Sequence, residues 1–112
     1  MCSVSKLLLV LPTLFILSCD VQSENEEIVR VIAEQRQILV DYLEDPSSDT
    51  EVKRVGAISF FEELTGIDSN DNPTHFGKIN PTREDIERWD KWVTDNFSRL
   101  RISNGKVSAP AQ

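Results

Sequence analysis

The chain has 112 residues, 39% hydrophobic and 28% charged, which is enough for one small globular domain at most. Nineteen Asp and Glu against twelve Lys and Arg leave a net charge of -7, which excludes a nucleic-acid phosphate backbone as a natural partner. Two cysteines and one histidine exclude a disulfide-rich scaffold, a four-cysteine zinc site and any two-histidine metal or catalytic motif.

Lys6 and the terminal amine open the chain with positive charge. Leu7 to Leu17 is then apolar, interrupted only by Pro12 and Thr13. As a helix this run falls well short of the roughly 30 Å needed to span hydrocarbon. It does match the apolar region of a secretory signal peptide, about 7–15 residues long.

Ile16-Leu17-Ser18-Cys19 resembles the lipobox of bacterial lipoproteins. The resemblance implies a signal peptide at residues 1–18, cut before Cys19. It also implies a diacylglyceryl thioether on the Cys19 sulfur and acylation of the new amine. That chemistry needs a thiol at the cut and a small residue, here Ser18, before it. Asp20 resembles the inner-membrane retention signal of enteric bacteria. The expected location is the extracytoplasmic face of a bacterial membrane, lipid-anchored, with residues 19–22 as a short tether. The alternative is an ordinary secreted protein in which Cys19 is incidental. Cys19 would be the only mature cysteine, and lipidation would block a thiol that is otherwise reactive in an oxidising compartment. Two or three acyl chains, at about 0.8 kcal/mol per buried methylene, anchor stably without a transmembrane helix.

Loss of residues 1–18 removes Lys6, so eleven basic residues then face nineteen acidic ones, a net of -8. On overall charge such a body stands off anionic headgroups.

Ser23-Glu24-Asn25-Glu26 reads as a helix start with a capping box. Apolar residues follow at Ile28, Val31, Ile32, Ile38, Leu39, Tyr42 and Leu43, one helical stripe. Asp45-Pro46 ends it, because the residue before proline disfavours helix. Ser48-Asp49-Thr50-Glu51 repeats the capping pattern. The second helix carries Val52, Val55, Ala57, Ile58, Phe60, Phe61 and Leu64 and ends at a left-handed Gly66.

Residues 66–81 form a long polar loop that Ile67, Phe76 and Ile79 can pin to the core. Thr82 caps a third helix with acids in its first turn. Its stripe is Ile86, Trp89 and Val93, with Phe97 and Leu100 behind. Asn104-Gly105 reads as its stop. The expected fold is a small all-α bundle of about three helices at residues 23–103. A frayed, disordered tail is expected at 104–112.

Ala57-Ile58-Ser59-Phe60-Phe61-Glu62-Glu63-Leu64-Thr65-Gly66-Ile67 precedes Phe76-Gly77, Asn80-Pro81-Thr82 and Trp89-Asp90-Lys91-Trp92. This pattern resembles a segment of uncharacterised bacterial lipoproteins with a helix ending in LTGI, an FG loop and a W-x-x-W helix. A shorter version resembles C-terminal pieces of bacterial HEAT-repeat-like proteins. The resemblance implies a helical fold and carries no catalytic residue.

Asp68, Asn70 and Asn72 space their oxygens as at the start of a calcium loop. Pro73 replaces the turn glycine and Ile79 the bidentate glutamate, so a polar turn with Asx-type bonds is the plainer reading. No metal or other cofactor is expected. His75 can act as a base beside Asp68 or Asp71, or can simply pack in the loop beside Phe76. Trp89 and Trp92 stand three apart on one face. Either both are exposed, to stack on a sugar or form a protein-binding hot spot, or Trp89 packs the core and Trp92 closes the loop over it, which is the plainer reading. Glu62 and Glu63 point about 100° apart on a helix, so they cannot flank one glycosidic bond, and a solvated helix edge is expected.

Asp68, Asn70, Asp71, His75 and Trp92 are therefore the candidate partner-binding residues, and Cys19 is the candidate lipid attachment site. The expected role is protein interaction in the cell envelope, without enzymatic activity. Two other readings stand beside it. One is a small metal-dependent or histidine-based hydrolase. The other is an immunity or exclusion lipoprotein whose acidic surface meets a basic toxin.

Overall fold

The computed structural model describes residues 12–48, 50–72 and 78–110, with side chains from Ser23 onward except Ser48. The described residues form a small, mostly helical bundle of three α-helices plus one two-stranded hairpin.

Helix α1 spans Pro12–Glu44. Ile28, Ile32 and Leu39 are buried, with Val31, Ile38 and Leu43 packed beside them, so the expected stripe is the core face. The helix stops before Asp45-Pro46, as the proline dictates. It does not start at Ser23. Residues 19–22 contain no glycine or proline, and the helix runs through them from Pro12, a residue tolerated in a first turn. No helix among the described residues is long and apolar enough to cross a membrane.

Helix α2 spans Glu51–Thr65. Its N-cap is Thr50 rather than Ser48, and the Thr50 side chain makes no capping bond. Ala57, Ile58, Phe61 and Leu64 are buried. Gly66 sits at φ 74°, and its amide donates to the Glu62 carbonyl at 2.9 Å. That left-handed turn is the expected stop.

Helix α3 spans Arg83–Asn96. Thr82 Oγ1 accepts from the Asp85 amide at 3.1 Å, while Asp85 Oδ2 accepts from the Thr82 amide at 3.0 Å. This is the reciprocal capping box, with aspartate in the place glutamate usually takes. Ile86 and Trp89 are buried. The helix ends at Asn96, earlier than expected, and a 3-10 turn at Phe97–Arg99 leads out of it.

The aromatic centre joins α2 to α3. Phe61 stacks on Trp89 with ring centroids 5.2 Å apart, and Phe60 meets Phe61 edge-on at 5.0 Å. Such pairs add about 0.5–1.5 kcal/mol beyond their area. Helix α3 runs against the direction of α1. Tyr42 meets Asn80 just before α3, Arg36 meets Asp90 within it, and Val29 shares a groove with Phe97 after it.

The tail expectation is corrected. Arg101–Ser103 forms strand β1 and Lys106–Ser108 strand β2, paired antiparallel with Ile102 opposite Val107. Asn104 and Gly105 take φ of 54° and 78° in the connecting turn. Positive φ at both central residues is what a tight hairpin needs, and Asn-Gly supplies it. Val107 is buried in the core and Ala109 is packed against it, so residues 106–109 are held to the helices.

Candidate functional site

The loop from Gly66 to Asn80 is pinned by three carboxylates. Asp85 lies at its centre with no exposed surface. Its Oδ2 accepts from the Ser69 hydroxyl at 3.0 Å, and its Oδ1 accepts from the Asn70 amide at 3.1 Å and from Arg88. Burial opposes its charge. The amides of Thr82 and Asn70 and the hydroxyls of Ser69 and Thr82 outweigh burial and hold the carboxyl below the usual carboxylate range.

Glu62 is the second pin. Its Oε2 accepts from the Ser69 amide at 2.8 Å and pairs with Lys78 at 3.1 Å, both side chains being largely withdrawn from water. Lys78 also donates to the Ser69 carbonyl at 2.9 Å. The expectation of a solvated edge holds for Glu63, which is exposed, and fails for Glu62. The reason is that the loop folds back over the last turn of α2.

Asp71 is the third pin. Its Oδ2 accepts from the amides of Asn80 at 2.9 Å and Ile79 at 3.0 Å, which hold this carboxyl too below its ordinary value. Trp89 Nε1 donates to the Ile67 carbonyl at 2.8 Å. At the far end Arg54, itself buried, donates to the Ile79 carbonyl at 2.6 Å and lies over the Tyr42 ring at 4.1 Å.

These bonds place the expected binding residues. Asn70 and Asp71 are engaged within the loop, and Asn70 Nδ2 donates to Glu84 at 3.0 Å. Asp68 is exposed, and its carbonyl accepts from Arg88 at 3.4 Å. His75 lies outside the described residues, as do Pro73 and Phe76. Trp92 is half-buried and packs against the core, about one helical turn from the fully buried Trp89. Cys19 falls within the backbone of α1, and its side chain is outside the description. Among the described residues no three His, Cys, Asp or Glu side chains converge to hold a metal ion.

One surface was not foreseen. Val29, Ile32 and Ala33 of α1 face Val93 and Phe97 across a groove of about 440 Å³. Val29 is 52% exposed at the edge of this groove. Arg36 also lines the groove and grips Asp90 with both ends of its fork, Nε to Oδ1 at 3.0 Å and Nη2 to Oδ2 at 3.0 Å. The hydrogen bond to Asp90 raises the Arg36 pKa further above its ordinary value. The sequence signal was present: Val29 and Ala33, four apart, lie just beside the Ile28-Ile32-Leu39 stripe.

No protein family matches the chain, and no curated protein or solved structure does so significantly.

Proposed function

We propose that the chain is a bacterial envelope lipoprotein, tethered through Cys19, whose helical body binds a protein partner. The observation that carries this reading is Ile16-Leu17-Ser18-Cys19 after a short apolar run and a single lysine. The pattern 57–67, with its W-x-x-W helix, resembles uncharacterised lipoproteins and supports the same setting. A helical backbone through residues 19–22 fits a stiff link, with Ile28 about 14 Å along α1 from Cys19 at 1.5 Å per residue.

The α1–α3 groove supports the interaction half of the proposal. It is lined mostly by aliphatic and aromatic side chains, with the Arg36–Asp90 pair beside them. An apolar floor with a charged margin is the usual composition of a protein-binding patch. The described residues 66–72 and 78–80 offer a second, polar surface, held in place by Glu62 of α2, Asp85 of α3 and Asp71.

The test is the mass of the native protein purified from membranes. A product that begins at Cys19 and carries the added mass of acyl chains is expected. A product that begins at Met1, or that weighs only its amino acids, overturns the anchoring. For the partner, a photo-crosslinking side chain at Val29 in living cells should capture one discrete protein, and the same probe at Lys53 should not. Equal capture at both positions overturns the groove as the partner surface.

A further inference from the structure

We propose that the β1–β2 hairpin is a second membrane contact, which holds anionic phospholipid headgroups beside the anchor. This inference rests on the reading of Cys19 as lipidated, and it reverses what overall charge implies. The body is acidic, but the charge is unevenly placed. Residues 97–112 contain Arg99, Arg101 and Lys106 and no aspartate or glutamate.

Pairing sets these three cations apart. Arg30, Arg36, Lys78, Arg88 and Lys91 each face a carboxylate. Arg99 donates to the Asn96 side chain and the Pro110 carbonyl, and Arg101 to the carbonyls of Ser98 and Leu100. Neither they nor Lys106 form an ion pair within the described residues. Lys53 and Arg83 also form none, but they lie in the first turns of α2 and α3, toward the C-terminal end of α1 and away from the anchor.

Position supplies the second argument. Glu24 Oε2 accepts from the Ile102 amide at 3.2 Å, which fixes the hairpin to the anchor end of α1. Helix α1 is continuous from Glu24 back to Cys19, five residues or about 7.5 Å of rise. That is within the Debye length of about 8 Å at physiological salt. Glu27 is offset by Arg30, while Glu24, held by a neutral amide, keeps its charge alongside Asp20 and Glu26, and Glu63 of α2 lies beside Lys106, so the basic character belongs to the outward face of the hairpin alone.

The hairpin's pleat gives the contact a face. Ile102 and Val107 turn toward the helices, while Arg101, Ser103, Lys106 and Ser108 are all exposed. Two cations and two hydroxyls on one small surface suit phosphate oxygens and glycerol hydroxyls. An acyl anchor reinforced by a basic patch is the two-signal arrangement that makes membrane attachment firm. Each basic residue near an anionic surface is worth about fivefold in partition.

The experiment uses the lipidated protein purified from membranes, after its mass has confirmed the lipid. A Ser103→Cys variant takes an environment-sensitive fluorophore, since the Cys19 thiol is blocked. The protein is reconstituted into phosphatidylcholine vesicles with or without 30% phosphatidylglycerol, each with a headgroup-attached quencher. Quenching clearly stronger with phosphatidylglycerol than without it, the excess abolished by 0.5 M salt, is expected. R101E/K106E should weaken the contact at least about 25-fold, while K53E/R83E, with the same change in net charge, should leave it intact. If R101E/K106E does not fold, R101Q/K106Q serves instead. Equal quenching in both vesicle types, or equal loss in both double variants, overturns the hairpin contact. A bare mass at the first step overturns the anchoring itself.

Discussion

Asp85 accepts the amide of Asn70, fifteen positions earlier in the chain, at 3.1 Å while exposing no surface of its own. The same carboxylate caps α3 through Thr82 and takes the Ser69 hydroxyl. One side chain therefore sets both the start of a helix and the path of the loop that precedes it.

Removing its charge should be costly. Asp85→Asn keeps an acceptor but loses the charge-assisted bonds, at about 1–3 kcal/mol. Asp85→Ala also takes the acceptor from the Asn70 and Thr82 amides and the Ser69 hydroxyl and the carboxylate from Arg88, and should cost about 3–5 kcal/mol. Urea melts of the two variants measure the difference, and equal stability of Asp85→Ala and wild type would refute the hub.

The pH dependence follows from the depressed carboxyl. Such a group gives stability that is complete above its unfolded value of about 3.9 and is lost as pH falls through the lower folded value. Wild type should therefore weaken below about pH 4. Asp85→Asn should flatten that acid slope without removing it, because Asp71 is also held below its ordinary value by the Asn80 and Ile79 amides. Thermal melts from pH 2 to 7 report both slopes.

Much of the bundle was legible because its signals are local. Pro46 stops α1, Gly66 ends α2 and Thr82 starts α3, each through the conformation of one or two residues. The buried stripes follow from a 3.6-residue period. The loop was not legible, because Glu62 to Ser69 and Asp85 to Asn70 are bonds across seven and fifteen positions that no period announces. The hairpin is a different case. Asn104-Gly105 between Arg101-Ile102-Ser103 and Lys106-Val107-Ser108 is a hairpin signature, and it reads as a helix stop only if the strands on either side are overlooked.

Two glycines should respond in opposite directions to the same substitution. Gly66 takes φ 74°, where a Cβ is strained even though no atom lies within 4 Å of it. Gly66→Ala should destabilise by about 1–2 kcal/mol. Gly56 sits inside α2, exposed, again with nothing within 4 Å of an added Cβ. Gly56→Ala should stabilise by about 0.5–1 kcal/mol, the difference in helix propensity. Paired denaturant melts check the sign of each.

The hairpin gives a third outcome. Val107 is only 4% exposed and closes the core beside Phe60 and Leu64. Deletion of residues 104–112 should therefore lower the melting temperature and expose apolar surface to a reporter dye. Val107→Ala alone should cost about 1–2 kcal/mol. A truncated protein with an unchanged melting temperature would restore the view of this segment as a tail.

The Arg36–Asp90 pair sets the upper margin of what surface charge contributes. Its geometry is bidentate, which favours it. Its side chains are 44% and 41% exposed, which screens it. A double-mutant cycle with Arg36→Ala and Asp90→Ala should return a coupling of about 0.5–1 kcal/mol, the high end for an exposed pair. In 1 M salt, where the Debye length is about 3 Å, most of that coupling should vanish. A coupling that survives high salt would mean that the fork acts by packing over Val29 and Val93, and the edge of the α1–α3 groove would then be apolar contact with no electrostatic share.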